Sequence, residues 1–204
     1  MNRWAIVPVK SLQKTKSRLA TVLSPAERSA LIQHLLQRTL AILQTSGWFT
    51  QILVVTRDPV AQQIAQTAGA STFVESEGQT LNGALTEATQ YATTAGAAQL
   101  LILPTDLPLF TAADLDPLFD HPPSAVVICS DILQTGTNAL VRPAAVPFTY
   151  HFGPDSFALH TAEAEQHQLP LISVHIPGLQ FDLDTPHDWA ILSQLDTQPH
   201  LHHG

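Results

Sequence analysis

Apolar residues along the chain fall into two alternating patterns. Trp4–Val9, Ile52–Thr56, Leu100–Leu103 and Ala125–Ile128 are short continuous apolar runs, the pattern of strands buried on both faces. Between the first two, Leu31, Ile32, Leu35, Leu36, Leu40 and Leu43 recur at helical spacing. Ser24-Pro25-Ala26-Glu27 opens this helix: Ser24 can cap, Pro25 suits the first helical position and Glu27 completes a capping box. Gly47 is placed to end it. The unit then repeats. Asp58-Pro59 starts a second helix and Gly69 stops it, and Thr72–Val74 reads as a short strand. Thr80–Ala92 reads as a helix with Leu81, Ala84, Leu85 and Ala88 on one face, and Thr111 caps a short helix through Asp114.

After residue 130 the rhythm changes. A Gly136-Thr137-Asn138 turn leads into a strand over Asn138–Val141, and Phe152-Gly153-Pro154-Asp155-Ser156 turns into a helix over Ser156–His167. Leu171–Ile176 reads as a strand, and Asp182-Leu183-Asp184-Thr185-Pro186 leads into a last helix with Thr185 as cap and Pro186 first. Residues 1–195 are expected to form one domain and 196–204 a polar tail. Alternating strands and helices with continuous apolar strands imply an α/β fold, its mostly parallel sheet covered on both faces.

Composition narrows the class. The 204 residues are 45% hydrophobic and 13% charged, the reverse of a disordered chain. No apolar run approaches the ~20 residues of a membrane helix. The start lacks a signal-peptide pattern, so a soluble cytoplasmic protein is expected. Cys129 is the sole cysteine, which excludes an internal disulfide and a cysteine-cluster metal site. It lies in an apolar strand and should be inert. There is no Gly-x-Ser-x-Gly elbow, and none of the ten histidines falls into a zinc-motif spacing.

Charge is divided along the chain. Residues 1–57 carry eight Lys or Arg against one acid, and residues 58–204 carry one base, Arg142, against sixteen acids. Arg3, Lys10, Lys14, Lys16 and Arg18 all fall within the first 18 residues. A nucleic-acid binder would need bases spread over a broad face. The division points instead to a local site for a small polyanion, facing a carboxylate-rich half able to hold a metal.

Several constellations could serve it. Val7-Pro8-Val9-Lys10 with Lys14, Lys16 and Arg18 follows the first strand, where ligands of α/β sheets bind; it is a phosphate site or a solvated basic loop. Asp106 follows an apolar strand, where it can bind Mg²⁺ or cap a turn. Asp182 and Asp184 share a face of an extended segment and suit a divalent cation, although Asp184 or Thr185 can equally cap the last helix. Asp188 favours the helix dipole. Thr137, Gly153 and Ser156 lie in turns suited to phosphate or carboxylate, or to ordinary turn chemistry. Asn82 could bond a base or ribose, or be an ordinary early-helix residue.

Taken together, the stretches AIVPVKSLQKTKSRLA, LSPAER, VVTRDP, GQTLNGAL, ILPTDLPLFTAADL, GTNALVRP, FGPDSFALH and PGLQFDLDTPHDW resemble the guanylyltransferases of coenzyme F420 biosynthesis. They run in order from residue 5 to 189. The resemblance implies a Rossmann-like, GT-A-like nucleotidyltransferase fold of three α/β/α layers with a mostly parallel mixed sheet. It also implies transfer of GMP from GTP to phosphoenolpyruvate or 2-phospho-L-lactate, with Mg²⁺ as cofactor and a homodimer as the family's assembly.

Carried over residue by residue, it implies a basic loop of Pro8, Val9, Lys10, Lys16 and Arg18 over the nucleotide, with Lys16, Arg18 and Asp106 catalytic. Asn82 falls on the nucleotide side, and Thr137, Gly153 and Ser156 on the acceptor side. Asp106, Asp182 and Asp184 would be the metal ligands. The basic loop lacks the glycines of the wider class, and Thr105 leaves no Asp-x-Asp pair. Rival readings are a nucleotidyltransferase for 3-phosphoglycerate, a sugar phosphate or molybdopterin, and a non-catalytic nucleotide-binding protein on the same fold.

Overall fold

A computed structural model describes residues 1–12 and 16–197. Lys14 and the tail histidines lie outside the described residues. The strands are β1 (Arg3–Pro8), β2 (Gln51–Val55), β3 (Ser71–Phe73), β4 (Gln99–Ile102), β5 (Val126–Ser130), β6 (Thr137–Pro143) and β7 (Leu171–Val174). The helices are α1 (Pro25–Thr45), α2 (Pro59–Thr67), α3 (Leu81–Thr94), α4 (Asp116–Phe119), α5 (Ser156–Gln166), α6 (Pro177–Gln180) and α7 (Pro186–Thr197), with 3-10 turns at Ser17–Thr21 and Ala112–Leu115.

One sheet holds all seven strands in the order β3-β2-β1-β4-β6-β5-β7. β1, β2, β3 and β4 run parallel, as do β5 and β7, while β6 is antiparallel to β4 and β5. The chain builds outward from β1 to β3, then crosses back to place β4 on the other side of β1. This reversal opens a crevice beyond the carboxyl ends of β1 and β4, where ligands of such sheets bind.

Alternating side chains feed two cores. Ala5 and Val7 of β1 join Leu101, Leu36, Leu40 and Phe110 on one face. Trp4 and Ile6 join Leu53, Leu100, Leu85 and Ala88 on the other. The Ser24–Glu27 capping box forms as expected, and Gly47 takes a φ of 74° just past α1.

The differences from the sequence reading are local. β6 is longer than Asn138–Val141 because its pairing with β4 extends to Pro143. β7 stops at Val174, and the expected strand end gives way to α6, which Pro177 opens. The Thr111 helix is a 3-10 turn continued by α4. Short elements of this kind are set by tertiary contacts more than by periodicity.

Candidate active site

The crevice between β1 and β4 is a cleft of about 320 Å³. Its walls are Pro8, Val9 and Lys10 after β1, Lys16, Ser17 and Arg18, Ile32 and Leu35 of α1, Leu81 of α3, Pro104, Thr105 and Asp106 after β4, and Asp184. All five residues of the loop expected over a nucleotide, Pro8, Val9, Lys10, Lys16 and Arg18, therefore share one cavity with Asp106 and Asp184, and Asn82 does not join them. The alternating pattern of β1 explains the start of this loop: Val9 is still core, and Lys10 is the first exposed residue beyond it.

Lys16 is the centre of charge. Its Nζ contacts Asp106 Oδ2 at 2.8 Å and also pairs with Asp184 Oδ1. Burial alone would lower its pKa; the two carboxylates outweigh burial and hold it above its ordinary value. The Lys16 backbone is left-handed, φ 56°, and its carbonyl accepts from Leu19 N–H to start the Ser17–Thr21 turn.

The Asp182–Asp184 segment is brought to this point by backbone. Leu183 N–H donates to the Asp106 carbonyl at 2.9 Å, and Leu183 is fully buried. Asn138 Nδ2 donates to the Leu179 carbonyl, so the start of β6 anchors the helix that precedes the segment. Burial, with Asp106 and Asp184 nearby, pushes the Asp182 carboxyl up to about 6. The three aspartates thus occupy one neighbourhood. Among the described residues, no three or more His, Cys, Asp or Glu side chains are arranged to hold a metal ion. Lys16 Nζ stands between two of the carboxylates.

Capping of α7 falls to other groups than Asp184. Asp188 Oδ2 accepts from Asp184 N–H, Thr185 N–H and the Thr185 hydroxyl, and Thr185 Oγ1 accepts from Asp188 N–H. Of the two candidates for the cap, the structure uses Thr185. Asp188, expected only to favour the dipole, is a full partner in the cap. The Asp184 carboxylate is left to the cleft.

The residues expected to hold the acceptor form a second cluster. Ser156 and Thr137 are buried, and Ser156 N–H donates to the Gly153 carbonyl. The Phe157 N–H donates to the Thr135 carbonyl, joining the turn before β6 to the start of α5. The Thr137 hydroxyl is 2.9 Å from His160 Nδ1, and His160 Nε2 accepts from His151 N–H. Burial, then the neighbouring His151, lowers the His160 pKa to about 4, against an opposing pull from Glu163. Asn82 bonds the Phe152 peptide and does not line the cleft, although its neighbour Leu81 does. Sequence reasoning missed His160: a lone histidine on a helix carries no spacing signal. Cys129 is buried, its pKa raised to about 11, in line with an inert thiol.

Comparison with known proteins extends this geometry. Residues 3–193 match the family model "Guanylyl transferase CofC like". A phosphoenolpyruvate guanylyltransferase of Rubrobacter xylanophilus is 41% identical over 197 residues, 94% of each chain. A 2-phospho-L-lactate guanylyltransferase of Methanothermobacter thermautotrophicus is 31% identical, over 92% of this chain and 82% of its own. A 3-phospho-D-glycerate guanylyltransferase of Colwellia psychrerythraea is 30% identical, over 94% and 91%. Among solved structures, a nucleotidyl transferase from Methanothermobacter thermautotrophicus superposes with a TM-score of 0.70 at 15% identity, over 97% of this chain and 99% of its own, a likeness of fold. A cleft at the β1/β4 reversal, lined by a basic loop and facing aspartates, sits on a nucleotidyltransferase fold, and the chain belongs to the CofC-like guanylyltransferase family.

Proposed function

We propose that this protein transfers the guanylyl group of GTP to the phosphate of phosphoenolpyruvate, releasing pyrophosphate, as a cytoplasmic step toward coenzyme F420. The observation that carries the choice of acceptor is the 41% identity, across 94% of both chains, to a protein named for that reaction. The cleft supports the reaction class: Lys10, Lys16 and Arg18 are cations for phosphates, and the aspartates stand opposite.

In the proposed reaction an oxygen of the acceptor phosphate attacks the α-phosphorus in line. The new P–O bond forms as the bond to the bridging oxygen breaks, and pyrophosphate leaves with that electron pair. A phosphate monoester, with its second pKa near ~6, is already mostly dianionic at neutral pH. No general base or covalent enzyme intermediate is needed. The chain's task is to hold two polyanions in line and screen their repulsion. Lys16 is placed to neutralise phosphate charge once it leaves the carboxylates, with Lys10 and Arg18 on the same wall.

Mg²⁺ is the cofactor proposed. The donor chemistry fits: Asp106, Asp182 and Asp184 offer hard carboxylate oxygens, and Mg²⁺ takes about one or two carboxylates plus phosphate and water oxygens. The salt-bridged Lys16 suits an ion that arrives with the nucleotide better than a permanent resident. When bound, the ion would supply charge neutralisation at the transferring phosphoryl group.

Pyrophosphate release from GTP and Mg²⁺ tests the reading, with phosphoenolpyruvate, 2-phospho-L-lactate and 3-phospho-D-glycerate in separate wells. Release is expected with phosphoenolpyruvate. Release only with another acid reassigns the acceptor, and silence in every well, with GTP bound, refutes transfer to a phosphoacid.

A further inference from the structure

One stripe of α3 is bonded along its length to the segment between β6 and α5. Thr93 Oγ1 donates to the Ala144 carbonyl at 3.2 Å, and the Thr89 and Tyr150 hydroxyls are 2.7 Å apart. Asn82 closes the series. Its Oδ1 accepts from Phe152 N–H at 2.8 Å, and its Nδ2 donates to the Phe152 carbonyl at 3.1 Å. Offsets of seven and eleven residues from Asn82 place Thr89 and Thr93 on the same side of an α-helix.

The position of this clamp matters. Asn82 is the second residue of α3, and Leu81, the first, lines the nucleotide cleft. Phe152 directly precedes Gly153, whose φ of 131° is one that L side chains rarely adopt. The Gly153 carbonyl in turn accepts from Ser156 N–H at the start of α5. A primary amide can satisfy a peptide N–H and C=O together; a carboxylate cannot donate, and a hydroxyl is too short to span both.

We propose that Asn82 is a positioning residue: it fixes the Phe152–Gly153 backbone, and with it the turn that presents Gly153 and Ser156 to the acceptor, from a helix whose first residue lines the nucleotide cleft. This rests on the reading that the protein joins GMP to a phosphoacid. Closed on Phe152, the Asn82 amide serves the acceptor side and not the base or ribose.

Asn82→Ala, Asn82→Asp and Thr89→Val test it in the full chain. Three quantities are read: GTP affinity without acceptor, acceptor KM at saturating GTP, and amide exchange of residues 148–155. Asn82→Ala should raise acceptor KM about tenfold, the equivalent of ~1.4 kcal/mol, with GTP affinity within about twofold. Exchange at Phe152 should accelerate in parallel. Asn82→Asp keeps the acceptor for Phe152 N–H but sets oxygen against its carbonyl, so it should lose acceptor binding in the same way. Thr89→Val cuts a link farther from the turn and should have a smaller effect; should both Asn82 variants fail to fold, faster exchange with unchanged acceptor KM in Thr89→Val overturns the proposal. Weakened GTP binding with unchanged acceptor KM overturns it too, because the amide would then serve the nucleotide. So does unchanged exchange. A wild type that transfers GMP to no phosphoacid refutes the function instead, and the exchange data still decide the clamp.

Discussion

His160 provides a test of the acid-side stability of the cluster it forms with Thr137 and His151. The ring is fully buried on α5, flanked by Phe152 at 4.8 Å and Phe148 at 5.8 Å between centroids. The His151 N–H must donate to Nε2, so Nε2 carries no proton and Nδ1–H donates to the Thr137 hydroxyl. Protonating the ring would set one N–H against another. Burial and then His151 lower its pKa from 6.5 to about 4, Glu163 opposing, while His151 and His167 themselves face Glu163.

The sign follows from proton counting. Below 6.5 the unfolded chain takes up a proton at this position that the folded chain refuses until about 4. The unfolded state binds more protons in that window, so acidification destabilises the fold. The gap between 6.5 and about 4, at ~1.4 kcal/mol per pH unit, amounts to roughly 3 kcal/mol. The contribution is fully present above 6.5 and lost as pH falls toward 4.

Urea unfolding followed by tryptophan fluorescence, stepped from about pH 8 to about pH 4.5, measures this in wild type and His160→Gln. Near pH 7.5 the variant should be less stable by about 1–3 kcal/mol, since the Thr137 hydroxyl and His151 N–H lose their partner. Acidification should close the gap, because only wild type carries the His160 penalty. A gap that stays constant across the range, or widens below pH ~6.5, refutes the reasoning.

Four other outcomes are expected. Asp184→Asn should lower turnover by about 100-fold in the pyrophosphate assay, the scale of losing one preorganised electrostatic group. Its melting temperature should barely move, because the Asp184 carboxylate is 41% exposed and does not cap α7. Asp188→Ala should do the reverse: a loss of about 1–2 kcal/mol on thermal unfolding, as for other lost caps, with smaller effect on turnover. Lys16→Ala should weaken GTP binding in an equilibrium titration, whereas unchanged affinity would leave Lys16 as counter-ion only. Arg142→Leu should destabilise the fold by about 3 kcal/mol or more in urea melts, because its buried guanidinium satisfies the carbonyls of Pro143, Ala144 and Val146.

Much of the architecture is legible in the amino-acid sequence. Continuous apolar strands separated by capped amphipathic helices determined an α/β sheet covered on both faces, because burial and capping are local demands that residue type meets directly. Lys16, Arg18, Asp106 and Asp184 could be singled out by charge and by position after strands, and all four line one cleft. Alternatives that differ only in a side chain's partner stay open in the sequence: Asp184 suits a divalent cation or caps the last helix, and Asn82 bonds a base or ribose or is an ordinary early-helix residue. Only the tertiary structure gives the α7 cap to Thr185 and Asp188 and joins the Asn82 amide to Phe152. The same holds for His160, which depends on Thr137 and on a backbone N–H at residue 151. Hydrophobic period and capping are written in neighbouring residues, whereas hydrogen-bond pairing across 23, 70 or 168 positions exists only once the chain has folded.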